Sequence, residues 1–564
     1  MEKNYDFRQV EKEMQKFWRD NSVYSFDKNS SREIFSIDTP PPTVSGKLHI
    51  GHIFSYTQAE IIARFKRMQG FNVFYPFGFD DNGLPTERLV EKEEGIFAKN
   101  LPRAEFIDRC IKTSTKYENE FKDLWQSLGL SVDWSLQYET INPMVQRISQ
   151  KSFLRLLKAG KAYMKEAPVL WCTECQTSIA QAELEATDKE SSFNYIEFKV
   201  GNESLPIATT RPELLGACVC LFTNPNDDRY TSFIGKMAKV PLYNYEVPIL
   251  ADEKVDSQKG TGIVMCSTFG DSTDLEWYEK HNLSYRKLIL SDGRIDGADL
   301  FIGGMTVLEA RKQIIRLLSD SGLLKETKKI THTVAVHERC GKEIEILPSK
   351  QWYIDILSNK ELFLKAADDI NWYPEHMKSR YINWVENLKW DWCILRQRYF
   401  GVPFPIWYCK SCGSVIMADE EQLPVNPLDS RPNKPCSCGC EDFEPETGVF
   451  DTWATSSVTP LINSKWEEDC DFTDKLMPMS LRAQAHEIIR TWAFYTIVKS
   501  LYHTNQIPWK DIMISGFVLA KKGEKISKSK SNSELSPQNI IENHSADAIR
   551  YWSASSKLGT DTFF

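Results

Sequence analysis

The sequence contains no run of 18 or more apolar residues, and its opening, Met1-Glu-Lys-Asn-Tyr-Asp6, has no signal-peptide core. A helical membrane span and an exported chain are therefore not indicated, and the cytoplasm is the expected compartment. Internal repeats and low-complexity tracts are missing too, so nothing points to a solenoid or a disordered linker protein. Positive charge is in deficit, with 69 Lys and Arg against 78 Asp and Glu, and the net charge of -9 counts mildly against a general nucleic-acid binder. That total conceals one basic stretch, Lys521, Lys522, Lys525, Lys528 and Lys530, although such a run is usually a solvated loop. The remainder is ordinary: 41% apolar and 26% charged residues over 564 positions suit a soluble protein of three or four domains.

Cysteine is plentiful, and the spacing of the fourteen argues for metal rather than disulfides. Cys172-x-x-Cys175 is matched downstream by His337-x-x-Cys340, and Cys409-x-x-Cys412 by two of Cys436, Cys438 and Cys440. Four such ligands suit tetrahedral zinc in a closed, structural site, with surface thiols as the bland alternative. Cys110, Cys218, Cys220, Cys266, Cys393 and Cys470 lack such spacing and are expected to be buried small apolar residues.

Two short strings carry the chemistry. Phe35-Ser-Ile-Asp38 reads as a strand, followed by the loop Thr39-Pro-Pro-Pro42-Thr-Val-Ser-Gly46 and then by His49-Ile50-Gly51-His52 opening a helix. Strand, Pro/Gly loop and helix is how parallel nucleotide-binding units begin, with backbone N–H groups and the helix dipole facing a phosphate. His49 and His52, three apart, share one helix face. An isolated H-x-x-H pair is more often packing. Near the other end, however, stands Lys525-Ile526-Ser527-Lys528-Ser529, and the two strings in this order resemble the hallmarks of class I aminoacyl-tRNA synthetases.

Longer stretches make the resemblance specific. Pro40-Pro-Pro-Thr-Val-Ser-Gly-Lys-Leu-His-Ile-Gly-His52, Asp451-Thr-Trp-Ala-Thr-Ser-Ser457 and Arg482-Ala-Gln-Ala-His-Glu-Ile-Ile-Arg-Thr-Trp492 look like the valyl-tRNA synthetase family, and the match runs essentially from residue 5 to 564. The resemblance implies an α/β fold: a class I Rossmann-type nucleotide-binding core carrying an inserted β-rich editing domain and zinc-binding elements. It implies ATP with Mg²⁺, valine and tRNA(Val) as ligands, and a monomer. His49, Gly51, His52, Lys525, Ser527 and Lys528 match the ATP site, with His49, His52, Lys525 and Lys528 in the catalytic roles. Asp80 or its neighbour Asp81 matches the acidic residue that binds the substrate ammonium, Asp80 being preferred through the alignment of Gly83. Pro41, Trp453 and Trp492 match positions enclosing a branched side chain, although core packing would explain the tryptophans as well.

A valine-sized pocket refuses threonine only about 10²-fold, a discrimination that is itself a standard example, and hydrolytic editing is the known remedy. Ala208-Thr-Thr-Arg-Pro-Glu213 and Thr268-Phe-Gly-Asp-Ser-Thr-Asp274 resemble the editing module, implying that Asp271 meets the threonine ammonium while Thr209, Thr210, Arg211 and Asp274 belong to the pocket. Alone, the segment reads as a β-barrel with turn aspartates. For the second metal set the family expects C-x-x-C where this chain has C-x-C-x-C; Cys438 aligns best, and Cys436 is added to it.

The expected layout is an N-terminal helix and first half of the core at 1–170, a zinc-knuckle stem at 171–191, and the editing insertion at 192–336. A return stem and core connection at 337–402, a zinc-ribbon-like insertion at 403–445 and the second half of the core at 446–564 complete it. Relatives continue into a helical anticodon-binding domain, so the 564 residues are expected to act as a fragment competent mainly for activation. An isoleucine-specific synthetase and a non-catalytic, zinc-containing tRNA-binding relic are the rival readings.

Overall fold

The computed structural model describes residues 6–520 and 536–563. Strands β1 (Ile34–Asp38), β2 (Asn72–Phe74), β3 (Asn371–Tyr373), β4 (Met479–Ala485) and β5 (Trp509–Ser515) form a wholly parallel sheet in the order β3-β5-β4-β1-β2. Parallel neighbours need a crossover. Helix α1 (Ile50–Met68) supplies it between β1 and β2, and α2 (Trp492–Thr504) between β4 and β5. α1 buries Ile50, Ile53, Phe54, Ala59 and Ala63 against the sheet, while Lys66 and Arg67 in its last turn complement the helix dipole. α2 is buried along its whole first half, from Trp492 to Ser500, as expected of a helix enclosed by neighbours.

β1 and β4 lie side by side, and their units run outward in opposite directions. Strand order therefore reverses between them, and the crevice beyond their carboxyl ends is where open α/β sheets take ligands. The segment Phe71-Asn-Val-Phe-Tyr-Pro-Phe77 reads in the sequence as one buried strand, but the strand formed is shorter. Pro76 offers no N–H to a ladder, so β2 stops at Phe74 and Gly78–Phe79 pairs instead with Tyr138–Glu139.

Two compact units divide the chain, one comprising Met1–Tyr163 with Trp352–Phe564, the other Met164–Gln351. The second unit is built on a seven-stranded sheet whose longest pair, Leu184–Val200 and Leu324–His337, is antiparallel from Leu324 opposite Ile196 to His337 opposite Leu184. It also contains helices Ser272–His281 and Val307–Asp320, which the strand-rich reading of this region overlooked. The second was legible: Thr306-x-x-Glu309 is a capping box, and Ala310, Ile314 and Leu318 are its buried stripe. Five of the six cysteines outside the two metal sets are buried as expected. Cys470 is a correction: it opens the short helix Cys470–Leu476 and is exposed, because that helix buries only Leu476.

Candidate active site

His49 is the N-cap of α1, and the capping geometry fixes the state of both imidazoles. The Gly51 N–H donates to His49 Nδ1 at 3.1 Å, and the His49 N–H donates to His52 Nδ1 at 3.3 Å. A nitrogen that accepts carries no hydrogen, so in each ring Nε2 is the N–H donor. The rings are half-buried, 4.0 Å apart between centroids, and stand at the positive end of a helix dipole. Gly51 is needed for this: a Cβ there would lie 2.9 Å from His49 Cε1 and push the ring off the helix end. The result is a pair of N–H donors at the carboxyl end of β1, suited to a phosphoryl group. Gly51 lies in the same first turn. Lys525, Ser527 and Lys528 lie outside the described residues.

The proline loop is pinned to the acidic loop by backbone bonds. Val44 N–H donates to the Asp80 carbonyl at 2.9 Å, and Asp80 N–H to the Pro42 carbonyl at 3.0 Å, which brings buried Pro41 and Asp80 into adjoining segments. Asp80 and Asp81 are both buried, and an oxygen of each lies 3.0 Å from Thr140 Oγ1, whose single hydroxyl hydrogen they share. Asp81 also accepts from the Ile141 amide, and burial holds it and its partner Glu118 above the usual carboxylate range. Asp81 thus belongs to a structural network. Thr140 carried no signal in the sequence, because a lone threonine after a two-residue strand resembles any turn residue.

Gly83 sits at φ +83, and a Cβ there would meet Thr452 Oγ1 at 2.4 Å. This close approach lets Thr452 Oγ1 donate to the Asn82 carbonyl and seats the short helix Thr452–Ser456, with half-buried Trp453, against the acidic loop. Trp492 opens α2, is fully buried, and donates from Nε1 to the Ser456 carbonyl at 2.9 Å. The 40–46 loop therefore meets the Asp80 loop, the Asp80 loop meets the 451–457 helix, and that helix meets Trp492.

One buried pair escaped the sequence reading. Arg482 Nη1 lies 2.6 Å from Asp38 Oδ2, across β4 and β1, with neither side chain exposed. Charged residues inside two buried strands were the available signal.

In the Met164–Gln351 unit, the Thr209 hydroxyl accepts from the Arg211 amide at 3.0 Å, and Thr210 is half-buried beside it. The Arg211 guanidinium is committed to Glu213 at 3.0 Å, to both Glu345 oxygens at 3.0 Å and to the Gly270 carbonyl at 3.3 Å. That last bond joins the 208–213 segment to the turn bearing Asp271 and Asp274. Exposed Asp271 caps helix Ser272–His281, accepting from the amides of Thr273 and Asp274 at 2.7 and 3.0 Å. Asp274 is buried, accepts from the Gly270 amide at 2.9 Å, and is pushed up to about 8 by burial and then by Asp271. Its unfolded value is about 3.9, so the folded state holds an extra proton between these values and loses stability as pH rises through that window. Asp274→Asn removes the effect: denaturant unfolding at pH 5 and pH 8 is expected to show a smaller decline for the variant than for the parent chain, and equal declines would contradict the assignment.

Two sulfur-rich clusters bring together Cys172, Cys175, His337 and Cys340, and Cys409, Cys412, Cys436 and Cys438, with ligand atoms within 4.8 Å of one another. Contacts are 3.5 Å for Cys172–Cys340 and for Cys340–His337 Nδ1, 3.6 Å for Cys409–Cys438 and 3.5 Å for Cys412–Cys436. Zn–S bonds of about 2.3 Å require S···S edges of about 3.8 Å, so both clusters have the size of a tetrahedral thiolate site. Cys440 is turned away and accepts from the Asp442 amide.

The described residues contain no helix long and apolar enough to cross a membrane. Residues 13–564 match the family described as tRNA synthetases class I (I, L, M and V). A valine–tRNA ligase of Rickettsia prowazekii (strain Madrid E) is 51% identical over 573 residues, covering all of this chain and 70% of the relative. That of Rickettsia conorii is 50% identical over 574 residues with the same coverage. Among solved structures, a LeuRS of Agrobacterium radiobacter K84, in a ternary complex with tRNA and LeuAMS, superposes with a TM-score of 0.58 at 20% identity, over 100% of this chain and 74% of that one. Methionyl-tRNA synthetase of Mycobacterium tuberculosis bound to methionyl-adenylate gives 0.52 at 13% identity, over 94% and 66%. These two likenesses establish the fold alone. With the family matched from residue 13 to 564 and half of all positions shared with those ligases, the chain belongs to the class I tRNA synthetases and, within them, to the valine–tRNA ligases.

Proposed function

We propose that the chain activates valine with ATP and transfers it to tRNA(Val). A valine carboxylate oxygen attacks the α-phosphorus, the bond to the bridging oxygen breaks, and pyrophosphate leaves with Mg²⁺ on its phosphates. Such a transfer needs positioning and charge stabilisation more than covalent help. The observation that carries the reading is the pair of Nε2–H donors at the α1 N-terminus, in the crevice between β1 and β4. His49 and His52 donate to the α-phosphoryl oxygens as charge builds there. Lys525 and Lys528, with Ser527, are assigned to the β and γ groups by resemblance. Asp80 meets the substrate ammonium, since Asp81 is engaged with Ile141 and Glu118. Pro41, Trp453 and Trp492 enclose the side chain.

The Met164–Gln351 unit is the editing domain in this reading. Thr209, Thr210, Asp271 and Asp274 form its pocket, and Arg211 braces the two segments that carry them. Zinc in the two sulfur clusters supplies a structural cross-link and no catalysis, because each offers a full ligand set. The enzyme works in the cytoplasm as a monomer. Amino-acid-dependent ATP–pyrophosphate exchange tests the reading: valine is expected to be fastest, threonine about 10²-fold weaker and isoleucine weaker as well. Isoleucine outrunning valine, or no exchange with any amino acid, would overturn it.

A further inference from the structure

Asp38 and Arg482 sit at the point where strand order reverses, fully buried and 2.6 Å apart. So deep a pair is weak evidence for stability, since removing both charges from water offsets most of their attraction, and two packed apolar side chains would join the strands equally well. It is not even fully satisfied: Asp38 Oδ1 and Arg482 Nη2 have no hydrogen-bond partner among the described residues. What apolar residues could not supply lies at the other edges of the guanidinium. Its Cζ lies over the indole ring of Trp492 and 4.3 Å from the ring centroid of Trp509. Arg482 Nη1 donates to Thr496 Oγ1 at 3.3 Å, one turn along α2 from Trp492, and Nε donates to Gln484 Oε1 at 3.1 Å. Thr496 Oγ1 in turn donates to the Trp492 carbonyl at 2.6 Å. The indole is therefore held on its face by Arg482, on its edge by the Ser456 carbonyl, and through its backbone by Thr496. Asp38 keeps the guanidinium in place and is itself fixed by Trp509 Nε1 at 2.9 Å and Thr459 Oγ1 at 3.2 Å.

We propose that Arg482, oriented by Asp38, is a positioning residue for amino-acid selection: by clamping the face of Trp492 it sets the depth of the pocket for the branched side chain. The proposal rests on the reading of Trp492 as a pocket wall. An indole released on one face gains room for one more methylene. Isoleucine differs from valine by that group, whereas threonine has the shape of valine and gains nothing.

Replacing Arg482 alone strands a buried carboxylate, so the test uses the paired variant Asp38→Leu with Arg482→Met, which preserves volume without charge. Exchange kinetics are measured with valine, isoleucine and threonine for this variant, for Trp492→Phe and for the parent chain. In the folded double variant, the isoleucine-to-valine ratio of kcat/KM is expected to rise about tenfold, mostly through a lower KM for isoleucine. The threonine-to-valine ratio and the KM for ATP are expected to stay within about twofold. A second variant, Asp38→Asn, keeps the shape but removes the charge holding the guanidinium, and is expected to shift the same ratio by about threefold. An unmoved isoleucine ratio in the folded variants, or an equal fall in kcat for all three amino acids, overturns the proposal and leaves the pair structural. Failure of the underlying reading looks different: Trp492→Phe leaves the ratio unchanged, or the parent chain shows no valine-dependent exchange.

Discussion

Substituting His52 with alanine is expected to lower valine-dependent ATP–pyrophosphate exchange by about 10²–10³-fold, the usual cost of deleting one preorganised donor to a developing oxyanion. The loss should fall on kcat, with the KM for valine little changed, because Nε2–H strengthens its bond as charge accumulates on the phosphoryl oxygens. Two effects combine in this residue. His52 Nδ1 also accepts the His49 amide, so its removal leaves an N-cap N–H without its partner and loosens the ring of His49 beside it. His52→Asn separates them, since its amide oxygen can still accept from His49 while its NH₂ stands nearer the helix than Nε2 does. Stability is expected to return and activity to recover only in part. Near-normal exchange in His52→Ala would remove these imidazoles from the mechanism.

Metal removal is expected to produce the other large effect. The purified chain should hold two equivalents of zinc, with Cys175→Ala and Cys412→Ala each losing one. The consequences should differ. Cys172, Cys175 and His337 are fully buried, and Cys175 meets His337 across 162 residues of chain, so the ion closes a long loop inside a core. Cys412 and Cys438 are exposed, and their cluster spans a short insertion. Structural zinc contributes about 10–16 kcal/mol of binding free energy in small domains, enough to decide whether a small unit folds. Cys175→Ala should therefore open the Met164–Gln351 unit to protease, whereas Cys412→Ala should leave that unit intact. Fewer than one equivalent of zinc, or identical proteolysis of both variants and the parent, would dispose of both sites.

Local signals were readable from residue order because local physics produces them. The helix after Gly46 follows from an apolar stripe with basic residues in its last turn, and the first strand from the short run Ile34-Phe-Ser-Ile-Asp38 ahead of a proline loop. Cysteine spacing announced two metal-sized clusters, yet not which of three cysteines would turn inward. The chain supplies Cys436 and Cys438 and points Cys440 at the Asp442 amide, a choice made by the course of the loop. The break in the second strand was legible in Pro76, and the helix Val307–Asp320 in its capping box. Thr140 was not legible, since its value lies wholly in bridging two aspartates from another segment.

By itself the sequence determined the chemistry available: imidazoles at a helix start, carboxylates in a glycine-bounded loop, thiols in pairs, and enough shared motif to place the chain in its family. Only the tertiary structure decided which of these groups meet and what supports them. Hydrogen bonds within a few residues fix the tautomers of His49 and His52, so the local motif sufficed to find them. Asp38 and Arg482 are 444 residues apart, and only the parallel pairing of β1 with β4 makes them neighbours. Contacts at that separation have no signature in local spacing, because the chain between them can be arranged in many ways until the sheet closes.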